Sequence, residues 1–138
     1  MKSVLLFTFL MISHSCLANS TINLLFHIGL GANGRYEIGG TIQNDSSDEL
    51  LYSAITYITI DKNCIPSKAK IANLGAINPK SKLEFRIPLE GVLSSYRILS
   101  ITGWNNMGIP VNAEDKTIEI IKKRDKDVIK NCNSLRLN

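Results

Sequence analysis

Residues 50–60 read LLYSAITYITI, and this segment decides the fold that the sequence predicts. It is dominated by β-branched and aromatic residues, which favour strands over helices. The side chains of a strand point alternately to its two faces, and here both faces are largely apolar. The residues of the two faces are Leu51, Ile55 and Tyr57 on one side and Tyr52, Ala54, Ile58 and Ile60 on the other. We therefore predict a strand that lies centrally in its sheet and is covered on both sides.

The segment KLEFRIPLE at residues 82–90 shows the strictest alternation of apolar and polar residues in the chain. Its apolar side chains point one way and its charged side chains the other, so the strand should have one core face and one solvated face. Residues 36–43 alternate in the same way. Four further strands are predicted from their composition, at residues 22–28, 68–74, 96–104 and 116–123.

Short segments rich in Gly, Asn, Pro and Ser separate the predicted strands, and such residues favour turns. These segments are residues 29–34, 44–48, 61–63, 78–80 and 105–110. Seven short strands at close intervals, without a long helical period, indicate an all-β fold. We predict one antiparallel, immunoglobulin-like (Ig-like) β-sandwich over residues 19–138, with its strands within residues 22–121.

The start of the chain has the features of a secretory signal peptide. Lys2 precedes an apolar run over residues 4–12, and small and polar residues follow up to Ala18. The run is too short to span a bilayer as a helix of the mature protein. We therefore predict a signal peptide over residues 1–18, a periplasmic or secreted protein, and no membrane anchor. In the alternative, Cys16 is lipidated and becomes the acylated first residue.

The cysteines divide between this leader and the predicted domain. Cys16 leaves with the signal peptide, and Cys64 and Cys132 remain. Two cysteines in an exported chain most simply form one disulfide, which would tie down the C-terminal segment. The long loop that a bond between Cys64 and Cys132 would close stabilises the fold by about 4 kcal/mol, because it lowers the entropy of the unfolded chain. The alternative, a redox or metal-binding pair, lacks the close spacing of such sites.

A basic tail follows the predicted strands. Residues 122–138 hold six Lys and Arg against two Asp, and the whole chain has a net charge of +4. We expect a short helix over residues 125–133. Lys122, Lys123 and Arg124 are candidate contacts for an acidic partner, such as anionic lipid or an acidic protein face. The alternative is a solvated, charged end of the chain.

A second candidate contact surface follows the predicted strand 96–104. Trp104, Asn105, Asn106 and Met107 could form an exposed recognition loop, since aromatic side chains in loops anchor many interfaces. The alternative places the Trp104 ring in the core of the sandwich.

The sequence contains few candidate catalytic residues or motifs. His27 is the one histidine that remains after the predicted leader is removed, and it lies in an apolar strand segment. It is either an outward-facing or hydrogen-bonded strand residue, or a ligand or base. One histidine without clustered carboxylates does not form the usual zinc site, and no nucleophile-elbow motif is present. Gly29, Gly31 and Gly34 are spaced like a dinucleotide loop, but no βαβ unit follows. We predict no catalytic residue, no metal and no cofactor.

Several segments together carry a family resemblance. They are IGGTIQN at residues 38–44, the long strand 50–61 that ends in Asp, LGAINP at 74–79, LEF at 83–85 and YRI at 96–98. In their order and spacing, residues 36–102 resemble the FxLYD-type domains of bacterial exported proteins, with Thr-Ile-Asp at 59–61 in place of Leu-Tyr-Asp. The resemblance implies an Ig-like β-sandwich used as a binding or accessory module, and it carries over no catalytic residues.

These observations favour a non-enzymatic exported protein that works through protein–protein contact. Its role would be that of an accessory, inhibitor or assembly factor of the bacterial envelope or of a secretion system, with a protein partner there. One alternative is a periplasmic module that binds glycan or lipid through Trp104, Tyr96 and basic side chains. Another is a small secreted hydrolase. We expect no nucleic-acid partner, because the basic residues lie in the tail without interleaved aromatic residues.

Overall fold

A computed structural model of the chain describes residues 21–91 and 93–136. The predicted signal peptide and Cys16 lie outside the described residues. The elements are β1 (Thr21–Ala32), β2 (Arg35–Asn44), β3 (Leu50–Asp61), β4 (Lys70–Asn73), β5 (Lys82–Leu89), β6 (Leu93–Asn105), β7 (Asn112–Asp115) and α1 (Ile118–Arg136).

The strands form two sheets, with strand orders β5-β2-β1-β7 and β4-β3-β6. All pairings are antiparallel except that of β7, which runs parallel to β1 from Thr21 opposite Asn112 to Leu24 opposite Asp115. Four strands against three is also the division of constant-type immunoglobulin sandwiches. The predicted all-β sandwich of seven strands is confirmed, with one parallel pair at its edge.

The strand β3 lies at the centre of the three-stranded sheet, as predicted. Its core face carries Ser53, Ile55, Tyr57 and Thr59, which are all buried. The prediction that Leu51 shares this face is wrong, because the register shifts between residues 50 and 52 and leaves the Leu51 side chain 53% exposed. A β-bulge of this kind adds a residue to one strand and reverses which face the earlier side chains occupy.

The space between the sheets is filled by aliphatic and aromatic side chains. The alternation of β5 is confirmed, because Phe85 and Ile87 are buried while Glu84 and Arg86 are exposed. The core residues are Ile22, Leu24, Ile38, Ile42, Leu50, Ile55, Tyr57, Ile77, Phe85, Ile87 and Ile101. These residues come from both sheets and from the loop before β5, so the core is continuous across the sandwich.

One buried polar side chain closes an end of the sandwich. The Asn44 amide nitrogen donates to the carbonyl oxygens of Asp48 (2.7 Å), Ile77 (3.1 Å) and Asn78 (3.2 Å). Its amide oxygen accepts from the backbone N–H and the hydroxyl of Ser46. A buried amide is stable only when its hydrogen bonds are made, and Asn44 uses them to join the 44–48 turn to the loop before β5.

Two predictions from the sequence differ from the structure, one at the end of β1 and one at the start of α1. The turn or flexible loop predicted over residues 29–34 is shorter than expected, because β1 continues to Ala32 and the turn is only Asn33–Gly34, with φ of 52° and 76°. Positive φ at both central residues is the geometry of a tight hairpin turn, and Asn-Gly is the preferred pair there.

The predicted strand 116–123 is instead the start of α1, and the last strand is β7. The Asp115 carboxylate accepts hydrogen bonds from the backbone N–H and the hydroxyl of Thr117, at 2.7 and 2.6 Å. The Thr117 carbonyl in turn accepts from the N–H groups of Ile120 and Ile121. These local bonds fix the first helical turn, which isoleucine spacing alone does not reveal. The helix also exceeds its predicted range of 125–133, and the strand region ends at residue 115 rather than 121.

The helix α1 is held beside the sandwich by a covalent bond and an ion pair. Cys64, just after β3, forms the predicted disulfide with Cys132 in α1. Closer to the helix N-terminus, Asp125 pairs with Arg97 of β6 at 3.0 Å. The described side chains of α1 include no fully buried one. Among the described residues, the helix is therefore held by these tethers more than by a packed apolar face.

The contact between β1, β2 and β5 at Gly40 generates a stability prediction. A Cβ atom on Gly40 would lie 2.5 Å from both the Phe26 carbonyl oxygen and the Phe85 ring, whereas one on Gly39 would meet the flexible end of Leu30 at 3.3 Å. We expect Gly40→Ala to lower the free energy of unfolding by about 1–3 kcal/mol, and Gly39→Ala to change it by less than about 1 kcal/mol. Urea unfolding measures both values. Equal effects of the two substitutions would contradict this packing.

Candidate functional site

A pocket of about 340 Å³ lies between the sandwich and α1. The β1–β2 hairpin, the end of β5 and the first half of β6 form its walls, and Ile121, Arg124 and Asp125 of α1 complete it. The volume is within the range of about 300–1,000 Å³ that small-molecule sites occupy. The helix thus converts the open edge between the two sheets into a half-enclosed pocket.

His27 faces this pocket because of a bulge in β1. The register of β1 against β2 shifts between Leu24 and Phe26, so Phe26 is 51% exposed and His27 only 7% exposed. A regular alternation from Ile22 would have placed Phe26 inside and His27 outside. The interpretation of His27 as an outward-facing residue is therefore wrong, and its interpretation as a hydrogen-bonded residue is confirmed.

The partner of His27 is Tyr96 of β6. The His27 Nδ1 atom lies 2.7 Å from the Tyr96 hydroxyl, and the two rings meet edge to face. Burial raises the pKa of Tyr96 to about 12, against a smaller opposing effect of the Arg124 charge. Burial also lowers the pKa of His27 below 6.5, although Asp115 acts in the other direction. Both rings are therefore neutral at pH 7.

The hydrogen bond between these neutral rings determines the histidine tautomer. If the Tyr96 hydroxyl donates to Nδ1, both its proton and the Nδ1 lone pair are used. The opposite direction would leave the buried hydroxyl proton of Tyr96 without a described acceptor. We therefore assign the proton of the His27 imidazole to Nε2, which makes Nε2–H a donor.

Three polar atoms of the residues that line the pocket are buried and have no hydrogen-bond partner within the described residues. They are His27 Nε2, Ser95 Oγ and Arg97 Nε. A buried polar group without a partner costs roughly 1–3 kcal/mol, so such atoms are rare in folded proteins. Three of them around one pocket distinguish it from the rest of the sandwich.

The charges around the pocket are mostly paired. Glu37 pairs with Arg86 outside the pocket, and Asp125 pairs with Arg97. Arg124, also on the helix, has no ion-pair partner in the part of the chain that the structure describes. The pocket therefore carries one uncompensated positive charge among the described side chains.

The 105–110 loop is a second candidate site and is internally rigid. The Asn105 side chain is buried, and its oxygen accepts hydrogen bonds from the N–H groups of Met107 (3.0 Å) and Ile109 (2.9 Å). Gly108 has a φ of 71°, and its N–H donates to the Asn105 carbonyl. These bonds display the Met107 and Ile109 side chains to solvent, where they are 71% and 51% exposed.

Trp104 supports this loop from the outer face of the three-stranded sheet. Its neighbour Gly103 is buried against the core residues Ile22 and Leu50, so the Trp104 ring points the other way. The ring is half-buried and packs against Tyr52 with centroids 5.1 Å apart. The alternative of a Trp104 side chain in the core is therefore wrong.

The predicted contact residues fall into two separate groups. Trp104, Asn105, Asn106 and Met107 lie at one end of β6, while Lys122, Lys123 and Arg124 lie on α1 near Arg97. Arg97 and Trp104 are about 23 Å apart at the usual rise of a strand. The predicted glycan or lipid site was to use both Tyr96 and Trp104. These two side chains do not share a site, because Tyr96 lines the pocket and Trp104 does not.

Two features are absent from residues 21–91 and 93–136. No group of three or more His, Cys, Asp or Glu side chains there is placed to hold a metal ion. Over the same residues, no helix has both the length and the apolar character needed to cross a membrane.

The pocket was not predicted from the sequence, since its residues come from positions 27 to 125 and only the strand pairing brings them together.

The buried His27 generates a prediction on pH. Its pKa is lower in the folded than in the unfolded chain, so between those two values the unfolded chain binds more protons. The free energy of unfolding should therefore fall as the pH decreases through 6.5, and this contribution should level off below the folded pKa. Without His14, no other side chain ordinarily changes charge between pH 5 and 8.

Urea unfolding of the protein that lacks residues 1–18, between pH 5 and 7.5, measures this slope. The variant His27→Gln should lose the slope above pH 5.5, and NMR should place the His27 ring pKa below 6.5. A ring pKa above 6.5, or an unchanged slope in the variant, would contradict the burial of a neutral histidine.

Comparison with known proteins leaves the chain without an assigned family. No protein-family model matches it, and no curated protein matches it. Among solved structures, the chain is similar to IrmA from Escherichia coli, with 14% sequence identity over 70% of this chain and 90% of that chain, and a TM-score of 0.39. A similarity of this size assigns neither a family nor a function.

Proposed function

We propose that this protein is exported to the bacterial periplasm or outside the cell, and that it acts there as a non-enzymatic module through contact with another protein. The signal-peptide pattern of residues 1–18 and the Cys64–Cys132 disulfide support the compartment, since disulfides persist in oxidising environments. The resemblance of residues 36–102 to FxLYD-type domains supports a role as an accessory, inhibitor or assembly factor of the envelope or of a secretion system.

The observation that carries the proposal is the rigid display of apolar side chains by the 105–110 loop. An exposed Met107 and Ile109 lose contact with water when a partner covers them, which favours binding by about 25 cal/mol per Å² of apolar surface. The Asn105 hydrogen bonds hold the loop in place before binding. Little conformational entropy is therefore lost on association.

The surroundings of the loop enlarge this surface. The Tyr52–Trp104 ring pair lies next to it, and the exposed Leu51 side chain precedes Tyr52 on β3. Half-buried aromatic rings beside exposed aliphatic side chains are typical of the centres of protein interfaces. The partner that suits this surface presents an apolar cleft with polar groups at its rim.

A pull-down from an envelope extract of the source organism tests the proposal. The wild-type protein should recover a partner in stoichiometric amount, and the double variant Met107→Ser with Ile109→Ser should recover at least roughly ten-fold less, because it removes the apolar anchors. The double variant Ile65→Ser with Ile71→Ser is a matched control, since these side chains are 60% and 70% exposed elsewhere on the surface.

The control should recover the partner as the wild type does. Failure of the wild-type protein to recover any stoichiometric partner would count against a role in protein contact. Equal losses in the two double variants would show that the contact does not use the 105–110 loop.

A further inference from the structure

We propose that the pocket between α1 and the β1–β2 hairpin is a binding site for a small monocarboxylate with an apolar body. The site is distinct from the 105–110 loop, since the two lie at opposite ends of β6. Its occupancy is therefore independent of the protein contact proposed above, and each proposal can fail without the other.

The unpaired polar atoms of the pocket indicate the chemistry of the ligand. His27 Nε2–H, Arg97 Nε–H and the Ser95 hydroxyl can all donate, and no partner for them is described. The carboxylates in the lining, Glu37 and Asp125, already accept from arginines. The pocket thus presents spare donors and no spare charged acceptor, so its ligand should be rich in hydrogen-bond acceptors.

The charge of the pocket selects an anion. Of the two arginines that line the pocket, Arg97 is neutralised by Asp125 and Arg124 has no described ion-pair partner. One negative charge on the ligand would balance it. Arginine binds carboxylates through two parallel N–H groups, and such charge-assisted bonds are roughly twice as strong as neutral ones. A single carboxylate matches both the charge and the donors.

The remaining walls select an apolar body for the ligand. Leu30, Tyr36, Leu89, Ile98 and Ile121 line the pocket. Gly31 allows the Tyr36 ring to lie against the β1 backbone, where a Cβ atom would come within 2.9 Å of the ring. Small-molecule sites typically combine such apolar walls with a few polar groups that orient the ligand. Both a medium-chain aliphatic acid and an aromatic acid suit these walls.

Calorimetric titration of the oxidised protein, purified from a periplasmic expression host, tests this inference. The probes are decanoate, which represents a medium-chain aliphatic acid, and 3-phenylpropionate, which represents an aromatic acid. Decanol and decylammonium share the apolar chain without the anion. We expect saturable binding of at least one of the two acids, and at least ten-fold weaker binding of decanol and decylammonium. The acid that binds more tightly shows whether the pocket prefers an aliphatic or an aromatic body.

Substitutions of pocket residues test whether the acid binds at this site. Arg124→Gln should weaken binding of the acid at least about ten-fold, because it removes the uncompensated charge. Ser95→Ala should weaken it roughly three-fold or more. Lys123→Gln is the matched control, since it removes the same charge from the neighbouring exposed position, and it should change the affinity less than two-fold.

Three results would overturn the inference. The first is the absence of saturable binding of both acids at millimolar concentration. The second is binding of decanol as tight as that of decanoate, which would indicate an apolar surface without anion recognition. The third is an equal affinity of the wild type and the Arg124→Gln variant. Circular dichroism of each variant confirms that it is folded before it is titrated.

Discussion

The tether between α1 and the sandwich is the constraint on which the other features depend. No described side chain of the helix is fully buried, and Ile118, Ile120 and Ile129 are exposed. Packing of the described side chains alone would therefore hold the helix weakly. The bond from Cys64 to Cys132 spans 68 residues of sequence, and closing such a loop stabilises the folded state by about 4 kcal/mol. The bond also holds the helix beside the turn after β3, and the Arg97–Asp125 pair holds it beside β6.

The two candidate surfaces differ in how they depend on that tether. The pocket needs it, because Arg124 and part of the apolar lining come from the helix. The 105–110 loop does not, because Asn105 organises it through local hydrogen bonds. One protein can thus hold a small ligand at one end and a protein partner at the other. Reducing conditions would affect the first site and spare the second.

Much of the fold follows from the sequence, and the pocket does not. The alternation of β5 predicted its buried face, and the two cysteines that lie outside the predicted leader predicted the disulfide. The strand β7 was missed because its sequence, NAED, has no apolar pattern, and it is a strand only through its pairing with β1. The orientation of His27 was open because a bulge reverses the alternation of β1, and no local signal in the sequence marks the bulge.

Hydrogen exchange of the backbone amides, compared between the oxidised protein and the double variant Cys64→Ser with Cys132→Ser, tests the central claim most directly. The account predicts that amides of α1 lose their protection in the variant while those of β1, β2, β3 and β5 keep theirs, because these strands share a buried core and no described side chain of the helix is fully buried. Unchanged protection of α1, or simultaneous loss in the helix and the strands, would contradict it.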